Sequence, residues 1–284
     1  MAKEKFNIYQ EITNRIITQL EKGEIPWHKP WSGVTTGAYN RVSKKPYSLL
    51  NQMILEHDGE YATFKQWSEL GGKIRKGAKS EIVVFWKIIE KTETNSHGEE
   101  VKTAIPYLRY INVFHISQVD GIEPLEKNAI KHESVAEAEK IKTDYEEREH
   151  FVIQEKITND AFYSPSRDFI QVPCREQYED IMEFYSTLFH EMVHSTGHKS
   201  RLGRFDECSK LVAFGSEDYS KEELVAEIGS ATLMNVIGIE TVKTFKNSAA
   251  YIQNWLRVLK NDNKFIVSAS SKAEKAVKYI LGQA

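Results

Sequence analysis

Apolar residues recur at three- and four-residue steps at the start of the chain and through its last third, and fall into short runs in between. Ile8, Ile12, Ile16 and Leu20 predict an amphipathic helix over about residues 6–22, which Gly23 stops. Pro26 and Pro30 forbid a helix in the next stretch and hold Trp27 and Trp31 in extended chain. Short helices are expected from Leu49 to Glu56, after Ser48, and from Phe64 through Trp67 to the Gly71-Gly72 pair. The runs Ile82–Lys87 and Ala104–His115 read as strands on either side of a polar hairpin over 94–98. Residues 123–150 are rich in Glu and Lys, and Ser134–Glu149 reads as a charged linking helix with few core positions. Phe151–Gln154 and Asp168–Pro173 read as short strands, with 168–172 expected to be an edge strand that can pair with an extended peptide. Helices follow over about 184–196, 220–238, 244–260 and 271–282, and Ser271 with Glu274 suggests a capping box for the last. The pattern predicts an α+β protein of two domains. A small α/β domain covers 1–122, a charged helical linker 123–150, and a mostly helical domain with a short sheet 151–284.

One helix carries recognisable chemistry. His190-Glu191-Met192-Val193-His194 places two imidazoles four residues apart, hence on one face, where they can share a metal ion. Glu191 sits beside the first of them and can act as general base on a water at that ion. This is the zincin pattern, so zinc is the expected cofactor, and other divalent ions suit the same donors. Tyr185, Leu188, Phe189, Met192 and Val193 give the helix its buried side, and Gly197 is placed to end it. Catalytic zinc normally takes three protein ligands. Ser200 stands where the metzincin continuation requires His, so that pattern fails. His198, past the helix end, could bend back. Glu223 and Glu227 share one face of the next helix, which predicts Glu223 as ligand and Glu227 as the acid that orients a ligand His. Glu227 as ligand is the main rival, and a Ser220–Glu223 capping box is the alternative explanation of Glu223. Tyr219 and His198 are candidate oxyanion partners, and Arg201 and Arg204 in the polar loop 199–219 could hold an anion.

Composition narrows the setting. With 40% hydrophobic and 28% charged residues the chain has a globular make-up. No apolar run approaches the ~18–20 residues of a membrane span. Cys174 and Cys208 make no disulfide framework, so a reducing cytoplasm is expected. The net charge of −3 is unevenly spread: residues 1–122 hold 17 Lys and Arg against 14 Asp and Glu, and the remainder 21 against 27. A basic first part argues against DNA mimicry, which needs a dense acidic field. In that part Lys65, Lys73, Arg75, Lys76 and Lys79 surround Trp67 and follow Trp27, Lys29, Trp31, Tyr47 and Asn51. Charge for phosphates mixed with rings for bases is what a single-strand nucleic-acid groove uses. Tyr107, Arg109, Tyr110 and Phe114 continue the texture. A solvated basic hairpin, with the Trp residues as core, is the plainer reading of the same residues.

Taken together, Gly23–Trp31, Tyr47–Asn51, Thr63–Trp67 with Gly77–Lys79, His190–His198 and Glu222–Glu227 resemble the ArdC-type antirestriction proteins of conjugative plasmids and related mobile elements. The resemblance covers nearly the whole chain. It implies an N-terminal single-stranded-DNA-binding domain, a C-terminal zincin-like metallopeptidase domain, and a role in protecting incoming DNA from host restriction. The expected partners are single-stranded DNA and an unidentified protein substrate or restriction enzyme, and no membrane. Two other classes stay open: a DNA-coating protein with a structural or inactive metal site, and a cytosolic zinc peptidase without a DNA function.

Overall fold

The computed structural model describes residues 7–28, 37–94, 100–125, 134–205, 217–239 and 248–283. The first helix, α1 (Ile8–Glu21), is capped by the Asn7 side chain, which accepts from the Tyr9 and Gln10 amides, and it buries Ile12, Thr13, Ile16 and Leu20. Gly23 follows it in the left-handed conformation at φ 78°. A single 3₁₀ turn, Pro26–His28, then carries Trp27. Next come β1 (Tyr39–Asn40), α2 (Leu49–Ile54), β2 (Glu60–Ala62), α3 (Phe64–Glu69), β3 (Lys73–Ile74), β4 (Glu81–Thr94), β5 (Glu100–His115) and β6 (Val119–Asp120). The β4–β5 hairpin is antiparallel, and the sheet order is β1-β2-β5-β4, with β3 and β6 forming a separate antiparallel pair. Both hairpin strands run longer than the hydrophobic pattern alone predicts, because the polar arms pair with each other. α3 opens with the capping box of Thr63 and Gln66.

The second half begins with α4 (Ser134–Glu149). This helix is more than a charged link: Ala138 and Tyr145 are fully buried, and the Tyr145 hydroxyl lies 2.8 Å from Ser195 Oγ. Its Arg148 donates to the Tyr279 and Ile280 carbonyls at 2.7 and 3.2 Å, tying it to the C-terminal helix. The short sheet contains β7 (Val152–Lys156), β8 (Phe162–Ser164) and β9 (Phe169–Pro173) in the order β7-β9-β8. β9 is therefore central, parallel to β7 and antiparallel to β8. The expectation of an edge strand at 168–172 is corrected: a strand paired on both sides has no free backbone row for a peptide. Burial of Ile170 and Val172 reports only which face of β9 is covered, and leaves its edges unspecified.

Four helices complete the fold: α5 (Ile181–Ser195), α6 (Glu217–Val236), α7 (Ser248–Asn261) and α8 (Phe265–Ile280). α6 already runs at Glu217, so Ser220 is no N-cap and the capping-box explanation of Glu223 falls. Ser271 likewise lies inside α8, and Glu274 instead pairs with Lys278 and accepts from the Leu49 amide.

The apolar stripe of α1 packs chiefly on α7, with α2 beside it. Trp27 meets Trp255 edge to face at 5.0 Å, and Thr13 donates to the Asn263 carbonyl at 2.9 Å. One hydrophobic core thus joins Ile12, Ile16, Leu20 and Trp27 to Phe189, Leu224, Trp255 and Ile280. The sheet of the first half keeps smaller clusters of its own, one around Tyr61 and Val83 and one around Trp67 and Val119.

Candidate metal centre

The centre is built by two helices lying against each other. α5 starts at Asp180, whose carboxylate caps the Met182 amide, and buries Phe184, Tyr185, Leu188, Phe189, Met192 and Val193. α6 buries Leu224, Val225, Ala226, Ile228 and Ala231. The helices run antiparallel, since Ser230 Oγ donates to the Ser186 carbonyl at one end while Glu223 approaches His194 at the other. Gly229 permits the close approach: a Cβ there would stand 2.7 Å from Val193 Cγ2. Gly197 serves a related purpose at the end of α5. It is absent from the left-handed residues, and a Cβ on it would lie 2.7 Å from the Phe205 ring.

The two imidazoles meet at their Nε2 atoms, 3.1 Å apart. Glu223 sets one oxygen 3.5 Å from His190 Nε2 and the other 3.3 Å from His194 Nε2. Bonds of ~2.0–2.1 Å at a tetrahedral angle separate two zinc ligands by about 3.3 Å. The spacing therefore fits a zinc-sized ion. Among the described residues, these three are the group whose ligand atoms all fall within 4.8 Å of one another. Two nitrogens and a carboxylate suit a borderline divalent cation. Glu191 sits on the same helix, 8% exposed.

Carboxylates also address the far nitrogens. Glu227 stands 3.8 Å from His190 Nδ1, and Glu222 stands 3.6 Å from His194 Nδ1. Burial opposes charge on Glu223, but the two imidazoles hold its carboxyl well below the usual range. Burial pushes the Glu227 carboxyl up to about 7 against the pull of His190. At His194 burial disfavours the cation, yet Glu222, Glu223 and Glu191 carry its pKa up to about 10. His190 is raised against burial chiefly by Glu223. Without a metal the site gathers carboxylates around two imidazoles, and those carboxylates favour the protonated rings.

The sequence offers no role for Glu222, and offers Arg204 only as a residue that could hold an anion. The Arg204 guanidinium, 6% exposed, donates through Nη2 to Glu222 Oε1 at 2.6 Å and through Nε to both oxygens at 3.2 Å. It also reaches Thr196 Oγ1 and the Val193 carbonyl. Arg201 is equally engaged, by Asp168, the Tyr163 hydroxyl and the Ser195 carbonyl. Neither arginine is free for the anion-holding role that the loop sequence suggests. His198 is not among the grouped ligands; its Nδ1 meets Ser200 Oγ at 2.7 Å and faces Asp168 at 3.8 Å. The Tyr219 side chain and Cys208 lie outside the described residues, while Cys174 is a half-buried thiol.

The nucleic-acid candidates divide. Trp27 and Trp67 are fully buried, and the Trp67 indole donates to the Phe114 carbonyl at 2.9 Å. Asn51 is 1% exposed and exchanges two hydrogen bonds with the Val84 backbone, clamping α2 to β4. These three are corrected from base-contacting to core residues. A ring's type does not say which way it points, and a wholly buried ring cannot stack on a base. Tyr47 is half-buried, edge to face with Tyr61. Lys65, Lys73, Lys76 and Lys79 are exposed, as is Arg75, which pairs with Asp120 at 2.7 Å. Lys29 and Trp31 lie outside the described residues. Exposed rings occur elsewhere: Phe64 at 62%, and Phe85 at 49% opposite Arg109 on the β4–β5 hairpin.

A family of zincin-like metallopeptidases matches residues 142–272, and the N-terminal domain of anti-restriction factor ArdC matches residues 6–114. The crystal structure of the metal-free antirestriction ArdC protein from the R388 plasmid aligns with a TM-score of 0.76 at 33% identity, covering 98% of each chain. The Mn(II)-bound structure of that ArdC protein aligns with a TM-score of 0.76 at 32% identity over 98% of each chain. An uncharacterized protein, y4eC, of Sinorhizobium fredii is 32% identical over 98% of this chain and 92% of its own length. Two DNA primases TraC of Escherichia coli are each 32% identical over 99% and 96% of this chain, which spans only 28% and 20% of their lengths. The chain belongs to the ArdC antirestriction family, in which an ArdC N-terminal domain is joined to a zincin-like metallopeptidase domain.

Proposed function

We propose that this chain protects incoming DNA by binding single strands through its N-terminal half while a divalent-metal centre in its C-terminal half hydrolyses a peptide bond in a nearby protein. The observation that carries the reading is the convergence of His190 Nε2, His194 Nε2 and a Glu223 carboxylate at 3.1 to 3.5 Å, with both histidines on the helix that also bears Glu191 and Glu223 on the helix packed against it. Zinc is the ion the donors suit best, and manganese, which the R388 relative binds, is the alternative. When bound, such an ion polarises a water and a carbonyl oxygen. Glu191 then accepts the proton from the attacking water and passes it to the leaving amine. Glu227 holds His190 from its far side. The exposed lysines at 65, 73, 76 and 79 are suited to phosphates, with Phe64 and Phe85 as exposed rings. No helix among the described residues is long and apolar enough to cross a membrane, and we place the work in the cytoplasm, where entering DNA meets restriction enzymes.

Glu191→Gln is the test. It removes the base but none of the proposed ligands. Metal uptake and single-strand binding should match the unaltered chain, while protection of transferred DNA in a restricting host disappears. Protection that survives Glu191→Gln would replace proteolysis with coating of the strand as the mechanism.

A further inference from the structure

We propose that Glu222 is a positioning residue for His194, and that Arg204 holds Glu222 in that position. The proposal rests on the metal reading above. An imidazole that offers Nε2 to a metal keeps its proton on Nδ1, and an acceptor at Nδ1 fixes both tautomer and ring orientation. Glu227 fills that place for His190, and Glu222 fills it for His194 at 3.6 Å. Consecutive residues on a helix diverge by about 100°. Glu222 and Glu223 use that divergence to address opposite sides of one ring: Glu223 faces Nε2 at 3.3 Å and Glu222 faces Nδ1.

Arg204 explains how Glu222 stays there. Its guanidinium binds the Glu222 carboxylate, and it also binds the Val193 carbonyl at 2.9 Å and Thr196 Oγ1 at 2.7 Å. Val193 and Thr196 flank His194 in sequence. One buried cation therefore fixes the carboxylate relative to the turn of α5 that carries the imidazole. The competing account is that Glu222 only neutralises Arg204.

The test titrates the full-length, metal-free chain with cobalt(II), followed by its visible absorption, and with zinc in competition with a chromophoric chelator. Glu222→Ala and Glu222→Gln are compared with the unaltered chain. Loss of such an outer carboxylate typically costs about 10–100-fold in metal affinity. Glu222→Ala should show a loss of that order and an altered cobalt spectrum. Glu222→Gln, which keeps an oxygen acceptor for the Nδ1 proton, should lose less. If Glu222→Ala does not fold, Glu222→Gln decides alone, with at least about a threefold loss expected. Variants that melt at lower temperature yet bind cobalt within about twofold of the unaltered chain overturn the proposal and favour simple neutralisation of Arg204. An unaltered chain that takes up neither ion overturns this proposal together with the metal reading.

Discussion

Gly229→Ala is the sharpest probe of how α5 and α6 make the centre. The added methyl would lie 2.7 Å from Val193 Cγ2 and 3.0 Å from Val193 Cγ1. Carbon atoms prefer about 3.5–4.0 Å, so the helices must part by roughly an ångström or the Val193 side chain must turn. Turning is disfavoured, because valine in a helix has one strongly preferred rotamer and Val193 is wholly buried. Overpacking of this kind costs about 1–3 kcal/mol. Replacing a helical glycine by alanine returns about 0.8–1 kcal/mol. The net expectation is a loss of about 0–2 kcal/mol in stability. The larger effect falls on the site. The Glu223 oxygens, now 3.5 and 3.3 Å from His190 Nε2 and His194 Nε2, would be drawn away from both imidazoles along the α5–α6 seam, by more than the ~0.2 Å within which metal–ligand distances keep to their usual values. Metal affinity should drop about tenfold or more, which is about 1.4 kcal/mol or more. Urea unfolding of the metal-free chain and chelator competition measure the two effects separately. Val193→Ala removes the clashing carbons, so the double variant should recover part of the affinity. A Gly229→Ala chain that is about 1 kcal/mol more stable with unchanged metal affinity would refute the close-packed seam.

The corrected residues give a second contrast. Trp67→Ala should cost about 3–5 kcal/mol of stability, read by urea unfolding, without changing the salt dependence of single-strand binding. Lys76→Ala should leave stability alone and lower the slope of log affinity against log salt by roughly 0.7, measured by fluorescence anisotropy on labelled oligonucleotide. A third prediction concerns pH. Although burial works the other way, Arg201 and Tyr163 hold the Asp168 carboxyl below its ordinary value. Its contribution to stability is therefore complete above the unfolded value of about 3.9 and is lost as pH falls through the depressed folded one. Asp168→Asn should flatten the fall of melting temperature in that acid range, and an unchanged fall would contradict the pairing.

Much of this architecture could be read from the chain, and the rest fails for definite reasons. His190, Glu191 and His194 were legible because helical spacing alone puts both imidazoles on one face. Glu223 and Glu227 were legible as acids stranded on an apolar helix. Glu222 and Arg204 were not, since an acid beside an acid and an arginine in a polar loop acquire meaning only when α6 lies against α5. The stripe on α1 gave the helix but not its partner, because burial pattern does not say which surface does the burying; α7 does so from more than 200 residues away. Trp27 and Trp67 mislead for the same reason: aromatic residues beside lysines occur both in grooves and in cores. β9 shows the limit for sheets, where alternation fixes faces but pairing fixes edges.

X-ray absorption at the metal edge of the zinc-loaded full chain tests the central claim most directly. The arrangement of His190, His194 and Glu223 predicts a nearest shell of nitrogen and oxygen alone, at ~2.0–2.2 Å, with the outer scattering of two imidazoles. Both imidazole signals should vanish together in the His190→Ala, His194→Ala double variant. A sulfur neighbour at ~2.3 Å, or a metal that carries no imidazole signal, would contradict the account.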